Sequence, residues 1–286
     1  MSSVETGRSV HDFYQTLHFN EGTDAAADLA VIQSGRIAEA QLLPSFLSDL
    51  DKININKGMV VEAGCGIGWL SISVQKMFPD ITLHALDFSE RALQRAKELS
   101  GVAGSNVAFH QQNLLDKKAL TVFEGAHAVF SIGVLHHTGD FLHAFRNCLG
   151  LLQPGGSAYV GLYHLYRRAP FLRHFQELTD QSVPVAELRK EYARLDGRTL
   201  DKVRQESWFQ DQVLHPHETQ HTIQEVLDIA GEGFEHVSNS ITGQQLPGRD
   251  KLLVIEQRQE MLGKHNLENA MYDPGFFMVH IRKRTL

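Results

Sequence analysis

The 286-residue chain is 42% apolar and 21% charged, the balance of a soluble globular protein with room for one large domain or a domain with an appended lobe. Its formal net charge of −7 argues against general nucleic-acid binding, which needs a basic surface to neutralise phosphates. No stretch approaches the roughly 18 apolar residues of a membrane span, and the opening MSSVETGRSVHDF has no apolar signal core, so the reading is a protein of the cytoplasm without membrane contact.

In chain order, residues 1–57 precede any strand pattern. Phe13, Tyr14, Leu17 and Phe19 form an aromatic cluster, and a helical stretch over 24–50 follows, with Pro44 at a helix junction. From residue 59 the pattern changes. The apolar run Met59-Val60-Val61 leads through Glu62 into Gly64, Gly66 and Gly68, and an amphipathic segment carries Leu70, Ile72, Val74, Met77 and Phe78. That is a buried parallel strand, a tight turn and a helix. Glycines there let the backbone bend sharply and a ligand lie against it, and the free N–H groups opening the helix add a polar lining. The dinucleotide fingerprint wants a third glycine where Trp69 stands. Glu62 is also an awkward neighbour for a pyrophosphate but suits a cationic ligand, so nicotinamide dinucleotide binding is a minor alternative.

The alternation continues. Strands are expected at 82–86, 107–110, 126–132 and 157–162, with helices at 90–99, capped by Ser89, and at 141–152, stopped by Pro154-Gly155-Gly156. Charged helical sequence at 186–195 and 200–205 alternates with Phe171, Phe175, Trp208 and Phe209. A helix at 222–230 and strands at 236–241 and 276–282 complete the chain. The fold class expected is α/β: a doubly wound, mostly parallel seven-stranded sheet with an antiparallel last strand, an N-terminal helical segment and a helical insertion after strand five. Cys65 in the Gly turn and Cys148 on a helix are read as reduced thiols, and Arg282-Lys283-Arg284 as a solvated strand end.

Ligands bind outside the carboxyl ends of parallel strands. That rule selects Glu62, Asp87, Gln112, Asn113, His136, His137, Tyr163 and His164. The sequence of a Gly-rich loop, an acid ending strand two, VLHHTGD after strand four and LQPGG before strand five resembles the class I S-adenosylmethionine-dependent methyltransferases. The resemblance covers roughly a third of the chain. It implies S-adenosyl-L-methionine as cofactor, with Glu62, Gly64, Gly66 and Gly68 at its amino-acid end and Asp87 on the ribose hydroxyls. Phe88 then covers an adenine face, and Gln112 or Asn113 reads the adenine amino edge, where many members carry an acid. His136, His137 and Tyr163 are the candidate catalytic residues beside the methyl group, since histidine near neutral pKa can orient or deprotonate an acceptor.

By the same resemblance residues 1–57 are a lid, 58–162 with 222–286 the cofactor-binding core, and 163–221 an inserted substrate lobe; the alternative for that lobe is a peripheral or homodimerising role. Tyr14, His164, Trp208, His215 and His217 are the candidate substrate contacts; Trp208, Asp211, His215 and His217 could line the acceptor pocket, coordinate a metal that positions the substrate, or form a loop packed by its own polar contacts. The phrases FYQTLHFNEG and WFQDQVLHPHETQHT resemble a bacterial subgroup whose substrates are mostly unassigned. His217-Glu218-Thr219-Gln220-His221 fits the HExxH zinc pattern, but Thr222 to Glu225 is a capping box that starts the helix only after it. No zinc is therefore expected. The function expected is methyl transfer to an O, N, C or S atom of a small molecule. RNA modification from the same cofactor site and an inert cofactor-binding scaffold are the alternatives.

Overall fold

The strands form at β1 (Met59–Ala63), β2 (Thr82–Asp87), β3 (Ala108–Gln111), β4 (Ala126–Ile132), β5 (Leu152–Tyr163), β6 (Phe234–Asn239) and β7 (Phe276–Lys283). They make one seven-stranded sheet in the order β3-β2-β1-β4-β5-β7-β6. The first five run parallel, and β7 is antiparallel to both β5 and β6. The structure is a computed structural model that describes residues 9–10, 12–14, 17, 19, 25–33, 36–198 and 200–285. Residues 1–8 and 20–24 of the expected lid segment lie outside the described residues.

Helices cover both faces, as an all-parallel central sheet requires. Alternation along β1 sends Val60 to one face, with Phe46, Leu83 and Tyr159, and Val61 to the other, with Phe145, Val160 and Val279. The N-terminal helices are α1 (Ala25–Gln33), α2 (Arg36–Gln41) and α3 (Pro44–Ile55), and Pro44 opens α3 at its first turn, where a missing N–H costs nothing. The core helices are α4 (Trp69–Met77), α5 (Glu90–Ala103), the short α6 (Lys117–Leu120) and α7 (Phe141–Gly150). After β5 come α8 (Leu165–Asp180), α9 (Val185–Asp196) and α10 (Lys202–Val213), which share their own apolar cluster of Phe175, Leu188, Tyr192, Leu195 and Phe209. The chain finishes with α11 (Ile223–Ala230), α12 (Arg249–Gln257), α13 (Gln259–Glu268) and β7.

Several boundaries differ from the sequence expectation. β5 starts at Leu152, because the strand passes Pro154-Gly155-Gly156 through a register shift between Ala126 and Ala128, with Gly155 at φ 79°. α10 runs on to Val213, since Phe209 and Gln212 are buried and packing extends the helix past the expected end. α12 and α13 were not expected; α8, which continues through Pro170, falls within the expected helical insertion without having been bounded there. Arg282 is no solvated strand end: it donates to Asp49 Oδ2 at 2.6 Å, beside a Ser157 hydroxyl also at 2.6 Å, and so pins α3 to the sheet. Both cysteines are buried free thiols, and no helix among the described residues is long and apolar enough to cross a membrane.

One buried cation holds the helices after β5 against the strand ends. Arg168 on α8 is fully buried, and all five of its guanidinium N–H groups have acceptors. Nε and Nη2 form a fork on Glu218 at 3.1 and 2.9 Å, Nη1 and Nη2 reach Gln212 Oε1 and O at 2.8 and 3.0 Å, and Nη1 also meets the Pro274 carbonyl at 3.4 Å. Its plane lies 4.2 Å over the Tyr163 ring and 4.4 Å over Phe171. Removing one partner of such a pair strands the other charge in the interior. Arg168→Ala should cost about 3–5 kcal/mol of unfolding free energy in urea titrations, and adding Glu218→Gln should restore part of it.

Candidate functional site

A cleft of about 1380 Å³ opens at the carboxyl ends of the parallel strands. It exceeds the roughly 300–1,000 Å³ of a single small-molecule pocket, so it has room for two ligands side by side. One end is built by the β1–α4 turn. Gly64, Gly66 and Gly68 take φ of 84°, 52° and 80°, which glycine adopts without strain. A Cβ on Gly64 would sit 2.4 Å from Val134 and one on Gly68 3.0 Å from Ala96, whereas one on Gly66 would meet nothing within 4 Å. Gly64 and Gly68 therefore serve close packing, and Gly66 leaves open space on the cleft wall.

Asp87 ends β2 against that turn. Its Oδ2 accepts the Gly66 N–H and its Oδ1 the Ser89 N–H, both at 2.8 Å. A carboxylate offers about four acceptor sites, so each oxygen keeps one for a ligand hydroxyl. Burial raises its pKa against the pull of those N–H bonds. Phe88, Gln112 and Asn113 line the cleft beside it. Asn113 Oδ1 accepts the Leu115 N–H at 2.9 Å. A ligand amino group would use the second lone pair of that oxygen, and a ring nitrogen the Nδ2 donors. Glu62 also lines the cleft, but its carboxyl is taken by the Ser71 hydroxyl. Burial lifts its pKa to about 8, the Ser71 bond opposing and the Asp87 charge adding. Vicinal hydroxyls on Asp87, a flat ring beside Phe88 and a cationic end near Glu62 and Gly66 would together fit a nucleoside carrying a positively charged tail.

The other end is aromatic and holds the histidines. Tyr14, His137, Tyr163, Trp208 and Asp211 line it. His137 Nδ1 lies 3.0 Å from the His217 carbonyl, which can only accept, so Nδ1 carries the proton and Nε2 keeps its lone pair. Burial lowers the His137 pKa to about 4, so the ring is neutral at physiological pH. The Asp211 carboxylate accepts the Tyr14 hydroxyl and the Gln212 amide, each at 2.9 Å. Burial raises the pKa of Tyr163 despite the Arg168 charge, so it stays a phenol.

His136, His164, His215 and His217 do not line the cleft. His136 is fully buried beneath the Tyr163 ring, 4.2 Å away, and neither ring nitrogen has a partner; its contribution is the carbonyl that accepts the Thr219 N–H at 2.8 Å. His164 is fully buried and caps α8 through Nδ1, with Glu256 3.4 Å from its other nitrogen, because alternation along the strand end turns it away from Tyr163. His215 sits behind His137, ring centroids 3.9 Å apart. His217 joins the two by its backbone, giving its carbonyl to His137 and its N–H to His215 Nδ1 at 3.1 Å.

His137, Asp211 and His215 each offer a ligand atom within 4.8 Å of the others, the donor set of a 2-His-1-carboxylate centre. The His217 N–H counts against a metal there. With Nδ1 of His215 accepting a bond, the proton of the neutral ring is on Nε2, which then has no lone pair to give. The HExxH stretch has other roles as well. Glu218 pairs with Arg168, and His221 stacks on Phe141 at 3.7 Å and bonds Glu225 at 3.0 Å, ahead of the helix that Thr222 caps. The sequence reading missed Arg168, Gln212 and Tyr272, the last a cleft-lining ring under the Arg198 guanidinium. Each lies in a stretch rich in charged or polar residues that reads as solvated helix or loop.

Residues 61–158 match a family described as a methyltransferase domain. An uncharacterised protein of Synechococcus sp. is 26% identical over 219 residues, 68% of this chain and 51% of that protein, so the chain spans about half the length of that curated relative. Among solved structures, PKMT2 from Rickettsia typhi in complex with AdoHcy superposes with a TM-score of 0.62 at 14% identity, covering 85% of this chain and 53% of that one. The plantazolicin methyltransferase BamL, in complex with a triazolic desmethylPZN analog and SAH, superposes at 0.55 with 14% identity over 99% of this chain and 98% of its own. At such identities the likeness is one of fold.

Glu62 makes the free protein pH-sensitive in a defined direction. Its folded pKa of about 8 stands above the ordinary 4.5, so between those values the folded state holds a proton the unfolded chain has lost. Stability should fall as pH rises through that window and level off above about pH 8. Urea midpoints measured from about pH 5 to 9 should show this slope, and Glu62→Gln should flatten it.

Proposed function

We propose that this chain, whose residues 61–158 match a methyltransferase domain, is a class I S-adenosylmethionine-dependent methyltransferase that transfers a methyl group to a nucleophilic atom of a small-molecule acceptor. The observation that carries the reading is one cleft that joins the Gly66–Asp87 end to the His137–Asp211 end across the tips of β1, β2 and β4. S-adenosylmethionine, when bound, supplies a methyl group on a positively charged sulfur with a neutral thioether as leaving group. The residues at the first end fit that cofactor: Asp87 for the ribose hydroxyls, Phe88 for adenine, and Glu62 with the Gly64–Gly66 backbone for the charged tail.

For such a displacement the protein's main work is to hold the acceptor in line and keep water out. His137 suits the first task. Its tautomer is fixed by the His217 carbonyl, and its Nε2 lone pair is available to an acceptor N–H or O–H. The second task falls to residues 1–57 as a lid and to 163–221 as a substrate lobe. Tyr14 from the first bonds Asp211 from the second, and Asp28 on α1 pairs with Arg95 on α5 and Arg204 on α10. These links are what support the lid reading.

Calorimetry with S-adenosylmethionine, its demethylated product and nicotinamide dinucleotide tests the assignment: the first two should bind and the third should not. Asp87→Ala should weaken cofactor binding by about 1.5–3 kcal/mol, the range for hydrogen bonds to a charged group, while the melting transition is retained. His137→Ala should lower kcat by about 10–100-fold with cofactor affinity nearly unchanged, as an acceptor-side role requires. Normal turnover in that variant would reduce His137 to packing.

A further inference from the structure

Asp211 is a buried carboxylate that no cationic side chain among the described residues hydrogen-bonds, the Arg168 charge favouring its ionised form only from beyond the Gln212 amide. It is 4% exposed and lines the cleft, yet its two hydrogen-bond donors, the Tyr14 hydroxyl and the Gln212 amide, are neutral. The nearby Arg168 guanidinium has committed all five N–H groups to Glu218, Gln212 and Pro274. Arg198, which lines the same cleft, is turned to Asp196 through Nε and Nη2. No lysine or arginine among the described residues bonds the Asp211 carboxylate. A buried carboxylate without a cation is costly, and the cost is relieved when a ligand brings the positive charge.

Aromatic rings line the same cleft, and two of them already carry a protein cation on one face, Arg168 4.2 Å over Tyr163 and Arg198 4.4 Å over Trp208. Tyr14, Tyr163, Trp208 and Phe276 line the cleft together with His137. Tyr163 lies 4.6 Å from Phe276 and 5.7 Å from His137, and Tyr14 lies 6.4 Å from His137, centroid to centroid. Aromatic faces attract ammonium groups through the negative face of the ring, and an acid among such rings is a recognised way to bind one. A metal ion would answer the same charge, but His215, the third potential ligand, has its Nδ1 occupied by the His217 N–H. A hydroxyl acceptor would leave the Asp211 charge unpaired.

We propose that the acceptor is an amine, bound as its ammonium by Asp211 within the aromatic wall and oriented by the Nε2 lone pair of His137. The inference rests on the methyltransferase reading and narrows its acceptor. Before transfer the ammonium gives one proton to the Asp211 carboxylate, and a remaining N–H stays on His137. The freed nitrogen lone pair then forms the new N–C bond. The C–S electron pair remains on sulfur as the neutral thioether, and the N-methylated ammonium leaves as Asp211 returns its proton to solvent. His137 and Asp211 are the catalytic residues of that step, while Tyr14 and Gln212 are positioning residues that aim the carboxylate.

The test uses the full chain saturated with the demethylated cofactor, titrated calorimetrically with benzylamine at neutral pH and with benzyl alcohol as its uncharged counterpart. The amine should bind and the alcohol should not, a comparison that needs no variant. Asp211→Asn should weaken the amine about 10–100-fold, the loss expected for a charged hydrogen bond, with binding of the demethylated cofactor unchanged. Equal binding of amine and alcohol, no amine binding, or an amine affinity untouched by Asp211→Asn would each overturn the proposal. So would stoichiometric Zn²⁺ binding to the wild type that Asp211→Asn abolishes, because the charge would then belong to a metal. If the demethylated cofactor itself fails to bind, the methyltransferase reading falls first, which keeps the two failures apart.

Discussion

The buried guanidinium of Arg168 is the interaction on which the His137–Asp211 end of the cleft depends. An ion in the interior is tolerated only when its geometry and hydrogen bonding are complete, and here every N–H is used. Completeness has a structural consequence. The acceptors come from α10, from the 215–221 loop and from the segment entering β7, so α8 cannot shift without breaking bonds to all three. Gln212 transmits the constraint one step further, since the amide that meets Arg168 through its oxygen meets Tyr163 and Asp211 through its nitrogen. The carboxylate in the cleft is thus aimed by a cation that never touches it.

The Gly66–Asp87 end rests on a different constraint, the close approach of β1, α4 and β2. Gly64 and Gly68 give up side chains so that Val134, Ala96 and Phe109 can close in, and Asp87 then reaches the Gly66 N–H across the turn. A short sequence pattern marks this end, the glycines and Asp87 lying within 24 residues of one another, whereas the other end rests on charged side chains that no short pattern marks, as in the Arg168 bonds to Gln212, Glu218 and Pro274.

That difference explains what the amino-acid sequence disclosed. The parallel strands, the Gly turn, Asp87 at the end of β2, the Pro44 junction and the Thr222 cap are written in patterns a few residues long, and the period-2 and period-3.6 signals found them. β5 escaped correct bounding because Pro154-Gly155-Gly156 has the composition of a terminator, while a bulge carries the strand through it. Among the histidines, adjacency showed that His136 and His137 would diverge but not which faced the cleft. That choice is made by Tyr163 and Phe276 closing over His136 and by the His217 carbonyl holding His137. Arg168 was invisible because a charged helix position reads as solvated; its burial comes from an ion pair fifty residues away.

The electrostatics of the cleft follow from these two constraints together. Glu62, Asp87 and Asp211 are all buried along one cleft, and burial raises the pKa of each. Three carboxyls held this way in the free protein keep protons longer than they would in water, which lowers the cost of burying them. A ligand that brings positive charge reverses the balance, since a cation beside a carboxyl favours its ionised form and releases the proton. The first end has the turn and hydroxyl-binding geometry for a charged nucleoside, and the second has aromatic faces around an acid. On the proposed reading each end gains from a cation, since the desolvation that raises these pKa values strengthens the attraction once the cleft fills. A neutral ligand would instead leave each carboxyl to keep its proton, so on the proposed reading charge discriminates between ligands as well as shape.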